Sequence, residues 1–439
     1  MRKPKENILI FKNRRDQLKS SMQGKALILT SYPEAVRNGS VHHPYRQDSN
    51  LYYLTGFEEP ETIFIYRPGL SPETVLFVRE KNPERETWDG FRYGPEGAMQ
   101  EYGIDQAYVI DDFVKQAPKL LKDVEGVYYR LNKNPAYDQL MNQVLQAQKI
   151  LTGRTGYGML PVIDPENLLS EMRVIKSAYE LEHMRKAAEL SAIAHREAMK
   201  FTRPGVTEGQ VQGVLMYHFM MNGASREGYN YIVASGNNAT TLHYNFNDQV
   251  CRDKDLLLID AGGEYQYYTA DITRTFPVNG HFTDEQAAVY QGVLNVQKQI
   301  INEVRPGVPF KKFHELGAEL LIDLMFSLGL LHGRKDDALA SGAYRKYYPH
   351  GIGHFLGMDV HDAGLYVKSG EPRAIEENMV FTVEPGLYIP GNDTSAPVGL
   401  RGIGVRIEDN IRVTSTGYEN LTALAPKEIS EIEAIVGRP

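Results

Sequence analysis

An α+β protein of two domains is what this sequence predicts, and three observations carry the prediction. Short apolar runs alternate with helical stretches up to about residue 151, a Gly/Pro-bearing interruption follows at 152–165, and beyond it long helical patterns alternate with strands that hold acids inside apolar surroundings. The first part reads as an N-terminal α/β domain with a mixed sheet, the second as a domain of helices on an antiparallel sheet. A chain of 439 residues exceeds one ordinary domain, and a hydrophobic share of 42% is enough for two packed cores.

The elements follow in order. MRKPKENILIFKNRRDQLKSSM reads as an amphipathic helix opening the first domain; its apolar run Ile8–Phe11 is too short for a signal peptide, and no small-residue cleavage site follows. ALILTSY, TIFIYRP, TVLFVRE, AYVIDD and GVYYRL read as strands, with helices at Asp111–Leu121 and Tyr137–Leu151. Thr152–Pro165 reads as a linker. Leu169–Arg173 and Ser177–Phe201 then carry a helical pattern, so the boundary is placed near Ser170, giving domains 1–170 and 171–439. The second domain continues with a helix at Thr207–Met221, a strand at Tyr231–Ala234, a hairpin turning at Gly262-Gly263, and helices at Thr283–Val304 and Phe310–Leu328. Thr283 followed by Asp284, Glu285 and Gln286 supplies a cap and early acids for the first of these two helices.

Charge and composition exclude several classes. With 48 basic against 56 acidic residues, and no long Lys/Arg run after the first dozen or so positions, a nucleic-acid partner is not expected. No stretch approaches the ~20 apolar residues that span a bilayer. A single cysteine, Cys251, precludes an intramolecular disulfide and points to a reducing compartment, hence a cytoplasmic protein. Cys251 precedes Arg252-Asp253 with no evident base and reads as structural.

The acids of the second part carry the chemistry. DLLLIDAGGEYQYYTADITRTF places Asp260 and Asp271 on the two arms of one hairpin, and VFTVEPGLYI and GVRIEDNIRV each hold one acid, Glu384 and Glu408, where a core-facing apolar residue would be expected. His354 lies in the Gly-rich HGIGHFLGMDVHDAG. One such acid is usually a turn residue or a strand end. Four acids and a histidine in apolar or Gly-rich strands need compensating cations, because each uncompensated buried charge costs several kcal/mol. Carboxylates with one imidazole and no thiolate favour two divalent ions, Mn²⁺ first, with Zn²⁺ or Co²⁺ as alternatives. Arg406, two positions before Glu408, shares that ligand's strand face; a salt bridge organising the carboxylates and a direct substrate contact are both open for it.

HGIGHFLGMDVHDAG, TVEPGLYI and RGIGVRIEDNI, with RQDSNLYYLTGFEEPE and NPERETWDG in the first half, resemble the signature blocks of the aminopeptidase P family of "pita-bread" metallopeptidases. The resemblance covers most of the chain. Asn50 stands where relatives commonly carry Asp. By this resemblance the second domain has the pita-bread fold, Asp271 and Glu408 bridge the two metals, Asp260 holds one, and His354 with Glu384 hold the other. A metal-bridging hydroxide would attack, Glu384 would shuttle the proton, His361 would hydrogen-bond the scissile carbonyl oxygen, and His243 would meet the substrate near the scissile bond, with His350 and Arg406 completing the wall. The implied reaction releases the N-terminal residue from peptides with proline second, the free amine meeting the Asp260 side. Tyr229, Tyr388, His243 and His350 are candidates for the proline pocket. Trp88, the only tryptophan, resembles a residue that approaches a neighbouring subunit's active site, which implies a homo-oligomer, dimer or tetramer. A prolidase acting on Xaa-Pro dipeptides is the nearest alternative. A non-catalytic peptide-binding relative and a metal-free creatinase-like enzyme are disfavoured by the complete ligand set.

Overall fold

The computed structural model describes residues 7–153 and 158–438. The chain divides into two compact units, Met1–Met172 and Arg173–Pro439, the division falling inside the helix Glu166–Val174.

In the first unit a six-stranded sheet runs in the order Gln106–Val109, Thr74–Val78, Ile63–Tyr66, Ala26–Thr30, Val127–Tyr128 and Val162–Ile163. The central pairs are antiparallel and the outer ones parallel, so the sheet is mixed. The three central strands are buried at every residue, which is why they read as unbroken apolar runs and not as alternating ones. The helix Ile8–Lys19 buries Phe11 and Leu18 as its pattern predicts, but also Arg14 and Arg15. Those guanidiniums donate to the carbonyls of Tyr53 and Leu54 at 3.1 and 2.6 Å, satisfying the open end of the helix Ser49–Thr55. The stretch read as a linker contains an edge strand of the sheet, Val162–Ile163, whose two residues are too few to show periodicity. Its residues 154–157 lie outside the described ones.

The second unit has a repeating order. A helix pair, Ala178–Phe201 and Glu208–Met221, precedes three antiparallel strands, Ile232–Ser235, Leu256–Asp260 and Thr273–Pro277. A second pair, Asp284–Asn302 and Phe310–Ser327, precedes the antiparallel strands Val380–Val383, Gly386–Ile389, Ile403–Arg406 and Asp409–Val413. Ser177, Thr207 and Thr283 open three of these helices with capping boxes closed by Glu180, Gln210 and Gln286. One correction concerns the hairpin. Its turn is Gln266-Tyr267, both at positive φ (48° and 69°), the geometry of a two-residue hairpin loop whose twist suits the flanking strands. Gly263 is a strand residue, and Gly262 serves a different purpose, described below. Cys251 is fully buried and burial pushes its thiol up to about 12, so it is inert packing.

Candidate metal centre

Register explains how the acids meet. Asp260 pairs with Thr273, and the same register carries through Glu264–Thr269 to the turn. Asp271, two residues before Thr273, therefore sits on the same sheet face as Asp260, diagonally across the ladder. Gly262 lies between them. A Cβ there would stand 1.8 Å from the Ala270 carbonyl oxygen and 3.2 Å from a ring carbon of Tyr229. Its absence lets the Tyr229 ring lie over the ladder, with its hydroxyl 2.7 Å from Asp260 Oδ1 and 2.5 Å from Asp271 Oδ1. One hydroxyl proton serves only one of two carboxylates.

The second set of strands works differently. Val383 pairs with Asp409 and Gly386 with Arg406, so the same register across the intervening break sets Glu384 opposite Glu408. The acids thus lie at a break between strands, where two like charges face each other directly. His354 reaches them from a segment laid along Val380–Val383: Thr382 N donates to the His354 carbonyl at 2.9 Å, Glu384 N to that of Ile352 at 2.9 Å, and Thr382 Oγ1 accepts from His354 N at 3.0 Å. Gly353 permits this approach, since a Cβ there would stand 1.9 Å from the Thr382 carbonyl oxygen.

Electrostatics decide what the cluster needs. Burial first, then neighbouring carboxylates, raises Asp271 and holds Glu408 well above the ordinary range; Glu384 is pushed up to about 7 by burial, with His354 opposing and Asp271 adding to it. Burial alone would lower His354, but hydrogen bonding and charge from Asp271 raise it to about 9. Its Nδ1 lies 3.1 Å from the Phe355 carbonyl, which accepts the Nδ1 proton and leaves Nε2 aimed at Asp271 Oδ2 (3.4 Å) and Glu384 Oε1 (3.5 Å). Donor atoms of Asp271, His354 and Glu408 fall within 4.8 Å of one another. Asp260 adjoins this core through the shared Tyr229 hydroxyl and Glu384 through His354. Mutually repelling, buried acids with an imidazole Nε2 turned inward fit divalent cations, which would take the place of the Nε2 proton. Thr273 Oγ1 donates to Glu408 Oε2 at 2.7 Å and Thr382 Oγ1 to Glu384 Oε1 at 3.2 Å, while the Asn410 side chain bridges the backbone N–H and C=O of Asp271. These groups fix ligand orientation.

A cavity of about 510 Å³ opens over the cluster, lined by all four acids and the His354 imidazole and by Tyr229, His243, His350, His361 and Arg406. His361 stacks edge-on against His354 at 4.4 Å and is held below its ordinary value, by burial first and then by the charges of His354 and His243. Arg406, 3% exposed, donates to Asp260 Oδ2 at 2.6 Å, to Thr273 Oγ1 at 3.0 Å and to the Tyr388 hydroxyl at 3.0 Å. Of its two sequence readings, the organising one is the one this geometry matches. Since that guanidinium only donates, the Tyr388 hydroxyl is left to donate to His350 Nε2 at 2.8 Å. Burial and then Arg406 lower His350 to about 4, which keeps it neutral. Tyr388 is thus buried behind His350 and Arg406 and off the cavity wall, away from the pocket position expected of it. Trp88 stands 84% exposed on the short helix Pro83–Asp89 of the first unit and is not a cavity residue. Sequence reading missed Thr273 and Asn410. Strand alternation could have found them, because each sits two positions from a ligand and so shares its face.

Residues 182–415 match the model of metallopeptidase family M24, and residues 11–128 that of the aminopeptidase P N-terminal domain. Among known proteins, a Haemophilus influenzae Xaa-Pro aminopeptidase is 39% identical, covering 99% of this chain and 97% of the relative. Among solved structures, Pseudomonas aeruginosa aminopeptidase PepP superposes with a TM-score of 0.95 at 42% identity, over 98% of both chains. Zn-substituted Escherichia coli aminopeptidase P in complex with product gives 0.93 at 38%, again over 98% of both.

Proposed function

Because this chain belongs to metallopeptidase family M24 and carries the N-terminal domain of aminopeptidase P ahead of its catalytic unit, we propose that its cavity removes the first residue from peptides whose second residue is proline. The observation that carries the reading is the convergence of Asp260, Asp271, His354, Glu384 and Glu408 on one cavity, where burial and neighbouring carboxylates raise Asp271, Glu384 and Glu408. Two divalent ions bound there supply Lewis acidity and activate water. Carboxylate-rich donors favour Mn²⁺, with Zn²⁺ and Co²⁺ as alternatives.

The protein's own groups do the rest. Asp271 and Glu408 occupy the centre of the cluster, Asp260 one flank, and His354 with Glu384 the other. Glu384 faces the cavity and takes and returns the proton that the leaving proline nitrogen requires. His361, neutral, donates to the scissile carbonyl oxygen. His243 contacts substrate beside it, and the free amine lies on the Asp260 side, which makes the action that of an exopeptidase. Tyr229, His243 and His350 form the wall against which a pyrrolidine ring fits; Tyr388 supports His350 from behind. Nothing in this scheme needs a carboxylate directly after proline, so the aminopeptidase reading is preferred to prolidase.

Among the described residues no helix is long and apolar enough to cross a membrane. A cytoplasmic setting is our proposal, supported by the lone buried Cys251. We also propose a homo-oligomer in which Trp88, too exposed for a core residue, lies at a contact. Matched Xaa-Pro-Xaa tripeptides and Xaa-Pro dipeptides test the reaction. The tripeptides are expected to be cleaved after the first residue and their Xaa-Ala-Xaa counterparts left almost intact; turnover of dipeptides alone would make the enzyme a prolidase.

A further inference from the structure

Glu208 takes no part in the site above, yet it is fully buried at the first turn of the helix Glu208–Met221, and no lysine or arginine pairs with it among the described residues. Its charge is met by five hydrogen bonds. Oε1 accepts from Ser235 N at 2.7 Å, Ser235 Oγ at 2.8 Å and Asn238 Nδ2 at 3.0 Å; Oε2 accepts from the Tyr244 hydroxyl at 2.9 Å and Gln249 N at 3.0 Å. The Glu208 backbone N–H closes the arrangement by donating to the Gln249 carbonyl at 2.9 Å. All five donors come from one stretch, 235–249, and that stretch brings Leu242, His243 and Asn245 to the catalytic cavity.

An ordinary buried carboxylate is paired with a cation. This one instead saturates its lone pairs with donors from a single connecting segment, so its energetic role is to hold that segment's path. The link nearest the chemistry is Tyr244. Its ring is buried at 8% exposure while its neighbours His243 and Asn245 face outwards, so the Tyr244 hydroxyl on Glu208 sets the facing of the residue beside it. The far side of the segment is equally constrained, because Gly404 carries no Cβ that would stand 2.2 Å from the Ala239 carbonyl oxygen, and the segment rests there on the strand that ends at Arg406.

We propose that Glu208 is a positioning residue for the reaction, acting through Tyr244 to hold His243 against the substrate. The inference rests on the proposed role of His243. A double-mutant cycle tests it, with kcat/KM on an Xaa-Pro-Xaa peptide, metal content and Tm measured for each form. Glu208→Gln replaces an acceptor by an amide donor facing Tyr244 and Gln249, and is expected to lower kcat/KM by roughly 10- to 100-fold with metal content unchanged. Tyr244→Phe, which removes one donor and leaves the carboxylate in place, is expected to lower it by less and carries the cycle if Glu208→Gln does not fold. In a His243→Ala background either change should have little further effect. Full additivity with His243→Ala, or loss of metal alongside activity, would overturn the proposal. A wild-type enzyme that cleaves no Xaa-Pro-Xaa peptide would overturn the proposed function and this inference with it.

Discussion

The two strand sets of the catalytic unit solve one electrostatic problem in opposite ways. In the first, Asp260 and Asp271 sit diagonally across the break between Leu256–Asp260/Thr273–Pro277 and Gly263–Tyr265/Tyr268–Thr269, beside a glycine whose missing Cβ admits the Tyr229 ring and its shared hydroxyl. In the second, Glu384 and Glu408 face each other at a break between strands, with a threonine hydroxyl on each and, among the described residues, no shared donor between them. Directly opposed like charges destabilise a sheet. The first set therefore meets its acid pair with the shared Tyr229 hydroxyl and, on Asp260, the Arg406 guanidinium of the second set, whereas the directly opposed pair of the second set has the stronger need of a cation.

Breaking the second set should cost most. Glu408→Ala removes the acid shared by both flanks and should abolish hydrolysis and lower metal stoichiometry, read by activity and elemental analysis of one sample. Gly262→Ala attacks the first set through the backbone: the added methyl has no room beside Ala270 or Tyr229, so loss of activity by at least ~10²-fold with a fall in Tm is expected, and a silent variant would show that the ladder is laxer than drawn. His361→Ala touches neither set, and turnover should drop by ~10²–10³-fold with both metals retained, the loss seen when one oxyanion donor is removed.

Cation removal sharpens the contrast through pH. Groups raised in the fold above their unfolded values, here Glu384 at about 7 and His354 at about 9, contribute stability that is full below the unfolded values and lost as pH rises through the folded ones. Cation-free protein should thus lose stability relative to the loaded form between about pH 4.5 and 9. His350, lowered to about 4, acts in the opposite direction, so the difference between loaded and free forms is the quantity to follow. We expect the loaded-minus-free Tm gap to widen with pH by on the order of 5 °C; a gap that narrows would put the acids' protonation the wrong way round. The smallest effect is expected from Thr273→Val, which leaves every ligand in place but frees one Glu408 oxygen: roughly a tenfold loss of activity, checked by kcat/KM at saturating metal.

What could be read from the chain in advance follows from which features are local. Apolar runs such as ALILT and LLLID become strands buried at every residue, and acids inside such runs announce the cluster without any structure. The turn at Gln266-Tyr267 escaped notice because Gly262-Gly263 is the stronger turn signal, and only the Ala270 carbonyl across the ladder shows why glycine is needed there. Tyr388 was drawn into the pocket by its aromatic character, but its place is set by Arg406, an arginine on the paired strand. The repeated order of helix pair and strands is likewise plain in the fold and invisible in the letters, since buried positions can exchange apolar residues freely while keeping the pattern. Glu208 stands in the first turn of its helix, the commonest place for an acid, so its letter alone gives no sign of its buried hydrogen bonds.

Metal stoichiometry of the active protein is the most direct test of the central claim, that four acids of these two strand sets, with His354 from the segment laid beside the second, hold a pair of divalent ions. Equilibrium dialysis against Mn²⁺ followed by elemental analysis should give two ions per chain in wild-type protein that cleaves Xaa-Pro-Xaa, and fewer in Glu408→Ala. Full turnover with one ion or none, or two ions retained by Glu408→Ala, would contradict it.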